Sequence, residues 1–500
     1  MQRWVSFAAV VLLLLSCASR EPAETILTEP RFESVQPELF EAYGAQPNAW
    51  ADYDNDGDLD LYIGFRYSPN RLYKNEDGVF RDVAAEVGLD VMDDTRVASW
   101  GDFDADGHLD LFIGFPFEEG RINRLYRNEG DGRAFTDVAA EVGVEVSGVT
   151  RQASFIDYDN DGDLDLFVAL RDRANRLFRN DGVNDGARFV DVSEASGIDD
   201  PRRSVGVVWF DMDEDGDLDC FVANQNGDAD GVFRNDGGHF VDVAAELGMD
   251  GGERSEDIGG VGPSVIDYDV DGDLDLFVAM YGPDVLWRNE GGGRFVEVDA
   301  GPVNEDHHST SAAWGDYDND GWPDLYVVSY LRDIPEYPDH LFRNAFGKFV
   351  DVTPSILLKK GGTHGIQWVD FDMDGDLDLS LANNNELGTH PLYRNKLPAE
   401  QARRSIQVLV VDENGRATRA GSEVRVFRPG GVILGTRLVD TGGGYCSQNV
   451  MPVHVGLPRG VTRVDVEVTS FGLAGRITTL VEDVDTSKIA GGVLRVMVKP

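Results

Sequence analysis

Seven segments of one pattern, D-x-D-x-D-G-x-x-D, recur along the chain, starting at Asp52, Asp102, Asp157, Asp211, Asp267, Asp316 and Asp370. Carboxylates at positions 1, 3 and 5 can turn inward as the backbone curls. The glycine at position 6 permits the tight turn, position 7 can offer its carbonyl, and the aspartate at position 9 can close the shell. An all-oxygen cage of this kind suits calcium, which takes roughly six to eight hard ligands; zinc prefers His or Cys, and magnesium tolerates such a carboxylate cage poorly. The side-chain ligands expected are Asp52, Asp54, Asp56 and Asp60; Asp102, Asp104, Asp106 and Asp110; Asp157, Asp159, Asp161 and Asp165; and Asp211, Asp213, Asp215 and Asp219. The last three sets are Asp267, Asp269, Asp271 and Asp275; Asp316, Asp318, Asp320 and Asp324; and Asp370, Asp372, Asp374 and Asp378. About seven calcium ions are therefore expected, in structural roles, with Kd on the order of 10⁻⁴–10⁻³ M or tighter. An EF-hand begins similarly but needs a bidentate Glu at position 12, and position 12 of the first loop is Ile63. Metal-free acidic turns are the poorer reading, because four converging carboxylates repel strongly without a cation.

Such loops need rigid strands on both sides. The starts are separated by 50, 55, 54, 56, 49 and 54 residues, a period that suits one four-stranded propeller blade per repeat. Two markers keep the same phase. One is aromatic-x-Asn, at Tyr73/Asn75, Tyr126/Asn128, Phe178/Asn180, Phe233/Asn235, Trp287/Asn289, Phe342/Asn344 and Tyr393/Asn395; the other is Phe-x-Asp-Val or a close variant, starting at Phe80, Phe135, Phe189, Phe240, Phe295 and Phe349. The seventh copy of the second marker lies at the other end, as Phe32-Glu33-Ser34-Val35. Residues 31–36 are thus expected to complete the last blade and close the ring, which removes exposed sheet edges. The segment before each Asp cluster reads as an inner strand, and 83–88 as a short helical turn between blades. The fold class is all-β: a seven-bladed β-propeller with calcium loops, followed by a small β-sandwich-like domain with strands near 406–411, 423–427, 436–439, 454–456, 463–468 and 493–498.

The chain has 500 residues, 91 acidic against 44 basic, and a formal net charge of −47. Such acidity excludes nucleic acid and anionic lipid surfaces as natural partners. Residues 1–17 read as a signal peptide, with Arg3 ahead of an apolar stretch over 5–15. The stretch ends in Leu14-Leu15-Ser16-Cys17, which resembles a bacterial lipobox with Cys17 as the lipidated residue. The protein is expected to cross the inner membrane and to stand as an outer-membrane or cell-surface lipoprotein, otherwise in the periplasm, touching the membrane only through that anchor. A tether over 18–30, the propeller over 31–397 and the C-terminal domain over 403–500 complete the organisation, and a monomer is expected. Cys220 and Cys446 do not make a disulfide framework.

The seven loops resemble those of FG-GAP/VCBS repeats, the calcium-binding blades of integrin α-type propellers, over roughly residues 31–396. The segment Gly442-Gly443-Gly444-Tyr445-Cys446-Ser447-Gln448, followed by Val453-His454-Val455-Gly456-Leu457, resembles the ASPIC/UnbV domain that follows such repeats in the cartilage acidic protein family. That family's usual Trp-Pro-Ser-Gly near the end is replaced by Thr469-Ser470-Phe471-Gly472. The resemblance implies no defined chemistry for this domain.

No nucleophile, Walker or HExxH pattern occurs in the sequence, so an enzyme is not expected. Just before the inner strands, on the face opposite the loops, fall Arg96, Arg151, Arg203, His307, His308 and His364. This ring of basic and imidazole groups is the candidate ligand face of a binding or adhesion module, able to receive an anionic or sugar group from a protein or carbohydrate ligand. The alternatives are a structural scaffold of the cell envelope and, behind it, a propeller enzyme using the histidines.

Overall fold

The computed structural model describes residues 29–116, 120–182, 188–329, 338–358, 362–385, 388–443, 445–489 and 492–499. The expected signal peptide, Cys17 and most of the tether lie outside them. Seven four-stranded antiparallel blades form the propeller, and in six of them the four strands follow sequence order. Blade 1 shows the pattern: Ala45–Ala51 is innermost, Asp60–Phe65 follows the Asp loop, Arg71–Glu76 carries aromatic-x-Asn, and Val79–Asp82 is outermost. The inner strands are buried along nearly their whole length, because each is flanked by two neighbouring blades, and buried on both faces they read as continuous rather than alternating runs. Close approach between inner strands demands glycine: a Cβ on Gly206 would stand 2.2 Å from the Val261 carbonyl oxygen. The outer strands are followed by one-turn helices at Ala84–Val87, Ala139–Val142, Ser193–Ser196 and Ala244–Leu247, each ended by a glycine in the left-handed region.

The seventh blade is assembled from both ends of the propeller. Thr363–Val369, Asp378–Asn383 and Leu392–Asn395 supply three strands, and Phe32–Val35 pairs antiparallel with the last of them, Phe32 opposite Asn395 and Val35 opposite Leu392. The buried Phe32 and Val35 side chains pack into the cores on either side.

Residues beyond 403 form two facing sheets. One has Ser405–Val411 between Val453–Gly456 and Val493–Met497; the other orders Val432–Leu438, Glu423–Arg428, Arg463–Gly472 and Gly475–Asp485. A valine-rich layer that includes Val408, Val424, Val426, Val455, Val464, Val466 and Val468 fills the space between them. Gly475–Asp485 is absent from the sequence expectation. It is an edge strand, mostly half-buried or exposed, so its apolar signal is weak.

This sandwich sits on the loop face of the propeller, and its segment 440–452 enters the central channel. Ser447–Gln448 adds a parallel fifth strand to blade 2, opposite Ala98 and Ser99. Around it, Thr441 Oγ1 and the Asn449 Oδ1 accept the backbone N–H groups of Trp209 and Trp50, and Gln448 brackets both backbone groups of Phe155. Inner strands whose innermost edge would otherwise face the channel are paired by this insertion.

Candidate functional site

Each Asp loop is built the same way. In six loops the position-1 carboxylate accepts the position-5 backbone N–H at 3.0 Å through Oδ1, as Asp52 does from Asp56. In six loops its Oδ2 accepts the N–H of the position-6 glycine. That glycine holds φ between 92° and 110° in all seven, and position 4 is left-handed as well, although it is Asn55, Ala105, Asn160, Glu214, Val270, Asn319 or Met373. Non-glycine residues held there cost roughly 1–2 kcal/mol each, so the loop shape is imposed by its surroundings.

The position-9 aspartate ties the loop to the next strand. Its Oδ1 accepts the backbone N–H of the aromatic-x-Asn asparagine at 2.7–2.8 Å in every blade. That asparagine is a joint between blades. Its amide donates to the position-8 carbonyl of its own loop and, in six blades, at 2.8–3.0 Å to the position-2 carbonyl of the preceding blade's loop, as Asn128 does to Tyr53.

One oxygen stays without a partner in every loop. The Oδ1 atoms of Asp54, Asp104, Asp159, Asp213, Asp269, Asp318 and Asp372 are all buried with no hydrogen bond. An orphaned buried carboxylate oxygen at position 3 of each repeat is what a cation ligand looks like before the cation is added. Ligand-capable oxygens of positions 1, 3 and 9 lie within 4.8 Å of one another in the first three loops (Asp52, Asp54 and Asp60 in the first), and those of positions 1, 3 and 5 do so in the fourth and fifth (Asp211, Asp213 and Asp215; Asp267, Asp269 and Asp271). Burial, reinforced by neighbouring aspartates, pushes the carboxyls up: Asp52 to about 6, Asp102, Asp157 and Asp267 to about 7, and Asp60 and Asp275 to about 9. A bound divalent ion reverses that penalty by supplying the missing charge. Every donor is a hard oxygen, so the residues present fit a hard divalent cation.

Sequence reasoning missed one contributor. The middle residue of aromatic-x-Asn is basic in all seven blades: Lys74, Arg127, Arg179, Arg234, Arg288, Arg343 and Arg394. Lys74 reaches Asp54 and Asp56, Arg343 reaches Asp318 and Asp320, and Arg394 reaches Asp372. The others pair with an acid two residues on, such as Glu129 for Arg127. The invariance of charge at that position within the chain was the available signal.

The sandwich engages six loops directly. Arg416 donates to the Ala105 carbonyl, Arg419 stands 3.8 Å from Asp157 Oδ2, and Arg476 pairs with Asp211 and with Glu423. The Thr436 N–H donates to Asp267 Oδ2 at 3.0 Å, Gln407 Nε2 donates to Asp370 Oδ2 at 2.5 Å, and Pro458 packs on Gly321. The first loop instead borders a cleft of about 280 Å³, lined by Asp52, Asp102, Arg416, Arg495 and Val450 among others.

The expected ligand ring differs from what the chain builds. Arg96, Arg151 and His364 do meet, but around Tyr445 at the tip of the inserted segment. Arg96 donates to the Tyr445 hydroxyl at 2.6 Å and to Gln46, with its guanidinium 5.2 Å from the Tyr445 ring centre. His364 is fully enclosed and neutral: burial holds its pKa well down, Nδ1 donates to the Gly362 carbonyl, and Nε2 accepts from Asn384. His307 is buried against His340 and Phe342, His308 stacks on Tyr281, and Arg203 is held by Asp228. The six residues form no single open face, because the insertion fills the channel they were expected to rim.

A family profile described as FG-GAP-like repeat matches residues 52–113, 117–168, 157–222, 211–278 and 267–327. Cartilage acidic protein 1 of Xenopus tropicalis is 32% identical over 163 residues, covering 31% of this chain and 25% of that protein. The Homo sapiens protein of the same name is 30% identical over 163 residues, covering 31% and 24%. The match thus spans about a quarter of the length of these relatives. Among solved structures, an Agrocybe aegerita lectin described for recognition of non-reducing terminal N-acetylglucosamine aligns with a TM-score of 0.42 at 16% identity, over 69% of this chain and 87% of that one.

Proposed function

The chain belongs to the FG-GAP-like repeat family, and from that premise we propose that it is a calcium-loaded, extracytoplasmic propeller acting as a binding or adhesion module for a protein or carbohydrate ligand. The observation that carries the calcium part is the partnerless position-3 oxygen repeated in all seven loops. The side chains at positions 1, 3, 5 and 9 would hold the ion, which supplies positive charge and locks the loop's curl. The non-catalytic reading rests on commitment: the carboxylates serve the loops, and His307 and His364 are buried against different neighbours, His340 and Phe342 for the one and Tyr445 for the other. Location outside the cytoplasm rests on the N-terminal segment, and lipidation on Cys17.

A second reading, a structural scaffold of the envelope, is favoured by the sandwich covering six of the seven loops. Two measurements test these readings, the first the calcium and the second the choice between binder and scaffold. Metal analysis after dialysis against calcium should return about seven ions per chain; a chain that retains none overturns the calcium reading. A glycan array and envelope-protein extract, probed with calcium and with chelator, should yield a calcium-dependent ligand; a folded, loaded chain with no hit moves the assignment to the scaffold.

A further inference from the structure

The channel mouth opposite the Asp loops holds two buried guanidinium groups, those of Arg96 and Arg151, that form no ion pair among the described residues. Arg151, at the start of the inner strand Thr150–Ile156 of blade 3, is 6% exposed. Its Nε is buried without a hydrogen-bond partner. Among the described residues no carboxylate lies within ion-pair distance of it, and the charges that bear on it most include Arg96 and Arg171. Among the described residues Arg96 forms no ion pair: it bonds to Gln46 and the Tyr445 hydroxyl and lies against the Cys446 thiol, and its Nε is also orphaned. Asp94 feels Arg96 from beyond ion-pair distance, but its carboxylate is held by Arg66 at 3.5 Å and by Gln46 at 2.6 Å. A buried guanidinium without a partner is costly, and a chain with 91 acidic residues had ample means to neutralise it.

The third wall comes from the C-terminal domain. Tyr445 and Cys446 hold φ of 59° and 68° in succession, an arrangement that bulky residues avoid unless the surroundings impose it. The Tyr445 hydroxyl accepts from Arg96 and has the Cys446 thiol within reach of its own proton, a weak acceptor that a charged oxygen would displace. His364 contributes no charge, since both its nitrogens are engaged.

We propose that this mouth binds a small oxyanion group, a carboxylate, sulfate or phosphate borne by the ligand, with the Arg151 and Arg96 guanidiniums and the Tyr445 hydroxyl as donors. Guanidinium forks match oxyanions in two-point geometry, and the site is complete only with the inserted segment in place. The proposal rests on the binding reading above and narrows it to one chemistry.

Calorimetric titration of the calcium-loaded full chain with acetate and with sulfate tests it. Saturable one-to-one binding of at least one probe is expected; preference for acetate identifies a carboxylate ligand and preference for sulfate a tetrahedral one. Arg151→Gln should weaken binding at least tenfold and, in anion-free buffer, should melt no lower than the parent. Should that variant not fold, Tyr445→Phe, which keeps the ring and loses the donor, is expected to bind several-fold more weakly. Absence of saturable binding of both probes, or equal affinity in the folded variants, overturns the proposal. A chain that gives a ligand in the screen yet binds neither probe overturns this proposal alone and leaves the binding reading standing.

Discussion

At the scale of single residues, the asparagine of aromatic-x-Asn does more than mark the repeat. It bonds its own loop and the loop of the preceding blade, so its loss strands several buried backbone groups at once. Asn344→Ala should lower unfolding free energy by about 2–3 kcal/mol in denaturant titration. Asn289→Ala should cost least of the seven, since Asn289 makes the own-loop bond to the Leu274 carbonyl at 3.3 Å and no bond to the preceding blade's loop among the described residues. A second residue sets acid sensitivity away from the loops. His390 is buried with Nδ1 donating to the Ala42 carbonyl and Nε2 accepting from the Tyr73 hydroxyl. Burial pushes its pKa down to about 3, against about 6.5 in an unfolded chain. A depressed histidine contributes in full above pH ~6.5 and loses that contribution as pH falls toward 3, because the unfolded chain then takes the proton. Between pH 7 and pH 5 the stability advantage of the parent over His390→Gln should shrink by roughly 2 kcal/mol, read from urea unfolding at each pH.

At the scale of elements, the short strand Phe32–Val35 carries a large consequence for its length. It supplies the outer strand of blade 7 and joins chain positions some 360 residues apart through four register pairs. Removing residues up to 36 exposes the edge of Leu392–Asn395 and uncovers the pockets of Phe32 and Val35. Burial of two such side chains is worth about 3–6 kcal/mol together, so the truncated chain should melt well below the parent. It should also associate with rising concentration in size-exclusion chromatography, since an open sheet edge templates pairing. A truncated chain that stays monomeric with unchanged melting would refute closure by this strand.

At the scale of the whole molecule, the Asp loops and the C-terminal sandwich share one surface. Arg476, Arg419, Gln407 and the Thr436 N–H each address the position-1 aspartate of a different loop. If the loops hold metal as proposed, its loss should disturb the propeller and the seat of the sandwich together. Each site occupied at a hundredfold excess over Kd adds about 2.7 kcal/mol by mass action. Chelation is expected to lower the melting temperature by tens of degrees and to expose the 397–404 connection to protease. If both the melting curve and the cleavage pattern survive chelation, the loops bear no structural metal.

The repeat period, the blade count, the displaced strand that closes the ring and the aspartates of all seven loops could be read from the sequence alone. Each is written in local spacing, and seven copies in phase leave little room for coincidence. The edge strand Gly475–Asp485 could not, because half-solvated edges carry little apolar pattern. Nor could the fate of Arg96, Arg151 and His364 be read. Spacing places them at the channel mouth, but only the tertiary structure decides that a segment some 350 residues beyond Arg96 threads the channel and sets Tyr445 against them. Contacts between distant segments depend on shape and on the pairing of buried polar groups, and no local periodicity records them.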